Sequence, residues 1–225
     1  AQIFETSPYP DEEAIVNFNS SITVNTYNSI DVVEIINYNT GQEERHGIYR
    51  DIYPYSSTGG KMTISYVNVF DEEGEAHIFE TYNEGKNLRI KIGDPDQTFI
   101  GEKFYEIRYR AERAVAQFED FDEIYWNVTG GDWEIPIYEA SASVFLPAGA
   151  TATKSACYFG PRGSNDQCPG AISTDGGYNF KAPVALSPGE ELTVAVGFPK
   201  GAVTPYSASD KIDNFFAIYL PLIIK

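Results

Sequence analysis

The chain is poor in cysteine, histidine, tryptophan and methionine, and in positive charge. It holds 2 Cys, 2 His, 2 Trp and 1 Met in 225 residues, and 16 Lys and Arg stand against 33 Asp and Glu. Each shortage excludes something. With no Cys-x-x-Cys and no Cys/His cluster, a zinc or redox centre is excluded. His46 and His77 are the only side chains suited to neutral-pH acid–base work. No Gly-x-Ser-x-Gly elbow and no His-Glu-x-x-His helix accompanies them. A formal charge of −17 excludes nucleic acid, whose phosphates need clustered Lys and Arg. It equally excludes a basic face for docking onto anionic lipid. No apolar run reaches the roughly 20 residues of a bilayer-spanning helix. The C-terminal apolar run without charge, Phe215 to Ile224, is ten residues. It reads either as a final core strand or as the first half of a transmembrane helix.

What is present points to β-structure. Hydrophobic residues make up 42% of the chain, enough for a core and too many for disorder. The 16 Tyr and 14 Phe suit a half-buried pleated surface, and 19 Gly with 13 Pro suit many turns. Apolar residues recur with period two. Val16, Phe18, Ile22 and Val24 share one parity, and Leu88, Ile90 and Ile92 alternate with Arg89 and Lys91. Tyr105, Ile107 and Tyr109 alternate with Glu106, Arg108 and Arg110, and Leu192, Val194, Val196 and Phe198 repeat the pattern. Each is a strand with one buried face. Turn signals at Gly41, Gly59-Gly60, Gly74, Gly85 and Gly93 separate the runs. Only Ala111 to Asp122 tolerates a helix, and even there a strand ending in a short acidic turn fits the residues.

The expected fold is therefore all-β, an antiparallel β-sandwich, immunoglobulin-like or similar, with two β lobes packed together. The boundaries read as a first lobe at 12–118, a connector at 119–131, a second lobe at 132–205 and a linker at 206–225 leading into a transmembrane segment. The second lobe is short enough to share a sheet with the first. Cys157 and Cys168 flank a turn-rich stretch in that lobe. They read as a loop-closing disulfide of an oxidising compartment, or alternatively as buried free thiols.

Several segments resemble one known family. Asp31 to Ile52 contains Gly47-Ile48-Tyr49-Arg50-Asp51-Ile52, and Tyr125-Trp126-Asn127-Val128-Thr129-Gly130 is followed by Trp133, Ile135 and Pro136. Ala140 to Pro147 and the Cys157–Cys168 loop complete the set. Their order and spacing resemble the YciQ-like predicted bacterial membrane proteins, the family known as domain of unknown function 2207. The resemblance implies a cleaved signal peptide, an extracytoplasmic β domain and transmembrane helices beyond it, hence a cell-membrane location. It implies no catalytic residues. One departure is Tyr53 before Pro54, where the family pattern more often runs straight into Pro.

Three groups of residues carry candidate chemistry. Arg50 and Asp51 are neighbours on a strand and point to opposite faces, so each needs its own partner. Arg50 either grips a carboxylate or glycan bidentately or braces the fold through backbone carbonyls and a neighbouring acid. Trp133 is either a stacking surface or core, and Trp126 reads as core. Asp94 and Asp96 can supply calcium oxygens, or simply shape a solvated turn. The expected function is a non-catalytic binding or assembly module of the cell envelope, with Arg50, Asp51 and Trp133 facing a protein or glycan ligand. It uses no cofactor and touches the membrane only through the C-terminal segment. The rivals are an extracytoplasmic hydrolase or carbohydrate-active enzyme, and a calcium-dependent adhesion module.

Overall fold

The computed structural model describes residues 11–174 and 177–205. Among them there is no helix, and none long and apolar enough to cross a membrane. The apolar run 215–224 and the linker from 206 lie outside the described residues.

The strands follow in chain order. They are β1 (Glu13–Asn25), β2 (Ser29–Thr40), β3 (Gly47–Ile52), β4 (Thr63–Phe70) and β5 (Phe79–Glu84). Next come β6 (Asn87–Gly93), β7 (Glu102–Glu112), β8 (Val115–Gln117), β9 (Phe121–Asn127) and β10 (Ile137–Phe145). The last are β11 (Lys154–Pro161), β12 (Asp166–Gln167), β13 (Ile172–Thr174), β14 (Gly177–Lys181) and β15 (Glu190–Pro199). They form a seven-stranded sheet ordered β13-β14-β10-β1-β2-β7-β4, a five-stranded sheet ordered β12-β11-β15-β9-β8 and a three-stranded sheet ordered β3-β6-β5. The result is an all-β, sandwich-like fold.

Period two places the core. On β2, Ile30, Val32, Glu34, Ile36 and Tyr38 line the inner face. In register beside them stand Phe18, Ser20 and Ile22 of β1 and Tyr105, Ile107 and Tyr109 of β7. Both smaller sheets cover this face. Tyr109 meets Trp126 of β9 with ring centroids 6.3 Å apart, and Arg50 of β3 reaches Glu34. The buried residues of all three sheets join in one cluster.

The pairing of β1 with β10, Phe18 beside Ala140 and Ile22 beside Val144, is parallel where an antiparallel layout is expected, and it puts strands of both expected lobes in one sheet, as the short second lobe allows. A parallel pair needs a long crossover, and everything from β2 to β9 supplies it. The stretch expected as a connector, 119–131, contains β9, bonded to β8 and β15. Of the two readings of 111–122, strand and turn is the one found, because Ala111 and Ala114 to Ala116 are buried under the sheets. Most turn glycines sit at positive φ, as at Gly74 (φ 84) and Gly85 (φ 58). Gly47 and Gly93 have a different reason: they face each other across β3 and β6, where a Cβ on Gly47 would lie 1.8 Å from the Ile92 carbonyl oxygen.

Candidate functional site

Arg50 and Asp51 point to opposite faces of β3, and each has found its own partner. Arg50 turns inward and is 1% exposed. Its Nε and Nη2 each donate to a Glu34 carboxylate oxygen at 2.8 Å. Nη1 donates to the carbonyls of Asp51 (2.6 Å) and Thr129 (2.9 Å), and Nη2 also to that of Val128 (2.8 Å). A guanidinium has five N–H donors, so this one is fully used by the protein itself. Glu34 also accepts from the Tyr109 hydroxyl at 2.6 Å. The Phe18 ring lies 5.3 Å below the guanidinium carbon. Burial works against the charge on Arg50, and the Glu34 carboxylate overcomes it, so the group stays protonated with its pKa raised. The Tyr109 hydroxyl is held neutral by burial and then by the Glu34 charge. This network ties β2 and β7 of the large sheet, β3 of the small one and the segment after β9 to a single point.

Arg50 is therefore a bracing residue at the junction and not part of a ligand surface, which corrects one of its two expected roles. Gly130 enforces that geometry. It sits at φ +74, and a Cβ there would come within 2.9 Å of Arg50 Nη1. Trp133 donates its indole N–H to the same Thr129 carbonyl at 2.8 Å and meets Phe18 edge-on.

Asp51 and Trp133 do line a cleft. It has a volume of about 460 Å³ and lies between β3 and the 129–135 segment. Tyr49 forms an exposed aromatic wall, 52% accessible, with the Arg89 guanidinium 4.9 Å over its ring. Asp51 accepts two bonds from Arg89, at 2.8 and 2.6 Å, which raises the arginine pKa further. At the other end, Glu13 binds Arg45 through Nε (2.8 Å) and Nη2 (2.5 Å) and also the Tyr38 hydroxyl. The bond from Arg45 holds the Glu13 carboxyl below its ordinary range. Burial pushes the Tyr38 phenol up, and the bond to Glu13 adds to the shift. Asp132 and Glu134 complete the rim. Four carboxylates thus face two guanidinium groups. No Ser, Cys or His is in the lining, and the Thr129 hydroxyl oxygen is occupied by the Leu192 amide.

The remaining sequence candidates lie elsewhere. Cys157 and Cys168 form a disulfide, with both residues buried. Asp94 is a turn cap: its carboxylate accepts from the Asp96 amide and from Gln97 Nε2, both at 2.9 Å. Among the described residues no three His, Cys, Asp or Glu converge as for a metal. His46 and His77 share a smaller cavity of about 240 Å³ with Asp94, Thr98 and Lys103. His46 Nδ1 lies 2.8 Å from the Gln97 carbonyl and so carries the proton. His77 points Nε2 at the Phe104 carbonyl, and its pKa is lowered by burial and by Lys103.

Sequence reading missed Glu34, Glu13, Arg45 and Arg89. For Glu34 a signal existed: it is the one charge in the apolar row Ile30, Val32, Ile36, Tyr38. A charge in an inward row calls for a buried partner. The others carried no such mark.

Among solved structures the chain is similar to parts of larger enzymes. Leukotriene A4 hydrolase from Saccharomyces cerevisiae shows 12% identity and a TM-score of 0.47 over 85% of this chain and 30% of its own. A mutant M1 zinc metallopeptidase from Deinococcus radiodurans shows 10% identity and 0.44, covering 81% and 42%. A protease-like protein from Parabacteroides distasonis shows 12% identity and 0.44, covering 82% and 40%. The chain spans well under half the length of each. No curated protein matches it. The family model described as the N-terminal domain of predicted membrane protein DUF2207 matches residues 14–198, most of the chain, and the protein belongs to that family.

Proposed function

We propose that this domain is a non-catalytic, carbohydrate-binding module carried by a membrane protein on the extracytoplasmic side. The observation that carries the reading is the composition of the large cleft. An open tyrosine face, the edge of Trp133 and the apolar Ile48 and Ile135 stand among paired carboxylates and guanidinium groups. Sugars present apolar C–H faces and pairs of vicinal hydroxyls. The former suit aromatic rings and the latter suit planar bidentate groups. The volume of about 460 Å³ accommodates a short oligosaccharide segment. Glu13 and Asp51 are each tied bidentately to an arginine, and the bond from Arg45 holds Glu13 below its ordinary range, unsuited to the general-acid role of a glycosidase, which favours binding over hydrolysis. The buried disulfide supports an oxidising compartment.

The test is an NMR titration of the labelled domain with oligomers of N-acetylglucosamine, glucose and mannose. Shifts confined to Tyr49, Arg89 and Trp133, abolished in Tyr49→Ala, are expected with at least one series. Silence at the cleft with every series, or cleavage of any of them, would sink the reading.

A further inference from the structure

Open sheets have edges, and among the described residues this fold blunts all but one of them. The terminal strands are β13 and β4, β12 and β8, and β3 and β5. β12 has two residues, and β8 and β13 have three each, too short to template a partner. β12 is also bound to β11 beside the disulfide. β4 is longer, but its register skips between Ser65 and Asn68, and Tyr66 there has φ 55. Such a bulge twists an edge away from pairing. β3 is covered: the Asp51 carbonyl accepts from Arg50, and a Cβ on Gly130 would lie 3.1 Å from that carbonyl oxygen, so the 128–131 segment runs against it. β5 is six residues with no proline and no bulge, and every residue after Phe79 is exposed.

The register shows which groups of β5 face outward. The loop to β6 is Gly85-Lys86, so Glu84 and Asn87 close a two-residue hairpin and exchange their backbone bonds. Bonded pairs alternate along an antiparallel ladder. Tyr82 with Arg89 and Glu80 with Lys91 are therefore bonded pairs too, consistent with the bond from the Gly93 amide to the Ile78 carbonyl. The N–H and C=O groups of Phe79, Thr81 and Asn83 point the other way. Among the described residues no other element takes them. On the exposed face Ile78, Glu80, Tyr82 and Glu84 form one row, with Ile78 60% accessible.

We propose that β5 is a docking edge for an extended strand of another protein in which basic and apolar residues alternate. The main chain of that strand pairs with Phe79, Thr81 and Asn83. Its basic side chains all lie on the row of Ile78, Glu80, Tyr82 and Glu84, with their charges at the two carboxylates, one of which already holds Lys91, and their stems against Ile78 and Tyr82; its apolar ones lie on the opposite face beside Phe79. Charge selects the occupant. A second copy brings its own −17. Self-pairing centred on Tyr82 sets Glu80 opposite Glu84, and self-pairing centred on Thr81 still gathers the glutamates of both copies in one row. The proposal does not rest on the cleft, which opens at the β3 side of the same sheet.

The probe is an end-blocked peptide of alternating valine and lysine, followed by amide hydrogen exchange and NMR on the intact domain. At least tenfold added protection is expected at Phe79, Thr81 and Asn83, weakening as salt rises. A peptide with glutamate in place of lysine is expected to give none. Thr81→Pro removes an outward donor without touching the bonds to β6, and should abolish the effect while Thr81→Val preserves it. Should the proline variant not fold, the same peptide N-methylated at alternate residues replaces it and must fail to bind. Tyr49→Ala, in the cleft, must leave the response unchanged. No added protection, equal binding by the blocked forms, a footprint in the cleft, or concentration-dependent protection without peptide would each overturn the proposal.

Discussion

Replacing Arg50 with Met is expected to be among the most destabilising single changes in the molecule. Met fills much of the space of the arginine stem, so little of the loss is packing. What disappears is the charge partner of Glu34, which is 0% exposed, together with the donors to three buried carbonyls. Removing one member of a buried ion pair costs about 3–5 kcal/mol, because the other is left uncompensated. For a domain this size each kcal/mol lowers the midpoint by about 2–4 °C, so a drop of about 6–20 °C follows. Arg45→Met is the internal control. Its pair with Glu13 is half-exposed, 39% on the arginine side, and such pairs contribute about 0–1 kcal/mol. Adding Glu34→Leu to Arg50→Met should restore part of the loss by removing the orphaned charge. Recovery stays incomplete, because the carbonyls of Asp51, Val128 and Thr129 still lack a donor. Urea and thermal unfolding of the native protein, Arg50→Met, Glu34→Leu and the double variant would give the coupling energy, with Arg45→Met measured beside them. A loss for Arg50→Met no larger than for Arg45→Met, or strict additivity in the double variant, would refute the account of Arg50 as a brace.

Two further outcomes follow. Gly130→Ala should cost about 2 kcal/mol or more, from left-handed backbone and the contact with Arg50 Nη1. Gly74→Ala, with similar φ but nothing within 4 Å, should cost about 1 kcal/mol, and chemical denaturation compares them. The second concerns His77, whose folded pKa burial lowers below its unfolded value. The unfolded chain then binds the proton first, so stability falls as pH drops below about 6.5 and through the folded pKa. Melts from pH 7.5 to 5.0 should show a shallower decline for His77→Gln than for the native protein; parallel curves would remove His77 from the explanation.

The strands were legible because period two is a local property of the chain. So was the opposition of Arg50 and Asp51, since neighbours on a strand must diverge. The partners were not, because they come from afar: Glu34 lies 16 residues away, Arg89 lies 38 from Asp51, and the Val128 carbonyl lies 78 from Arg50. Nothing local records such distances. The expected boundary at 119–131 rests on local composition, and composition does not report pairing. The hydrophobic alternation of β9, with Ile124 and Trp126 buried, lies inside the stretch read as a connector. The β1–β10 pairing joins residues more than a hundred positions apart, and only the sheet reveals it.

That pairing also bears on how the protein is made. β1 leaves the ribosome before the other strands of this domain, yet one of its two neighbours is β10, which begins at Ile137. Until then β1 holds an unfilled edge, and Arg50 waits for the carbonyls of Val128 and Thr129. Long-range pairing of this kind is slow and leaves nascent chains prone to association. The domain thus has no safe halfway point: a chain stalled or cut before residue 137 carries the largest sheet half-built.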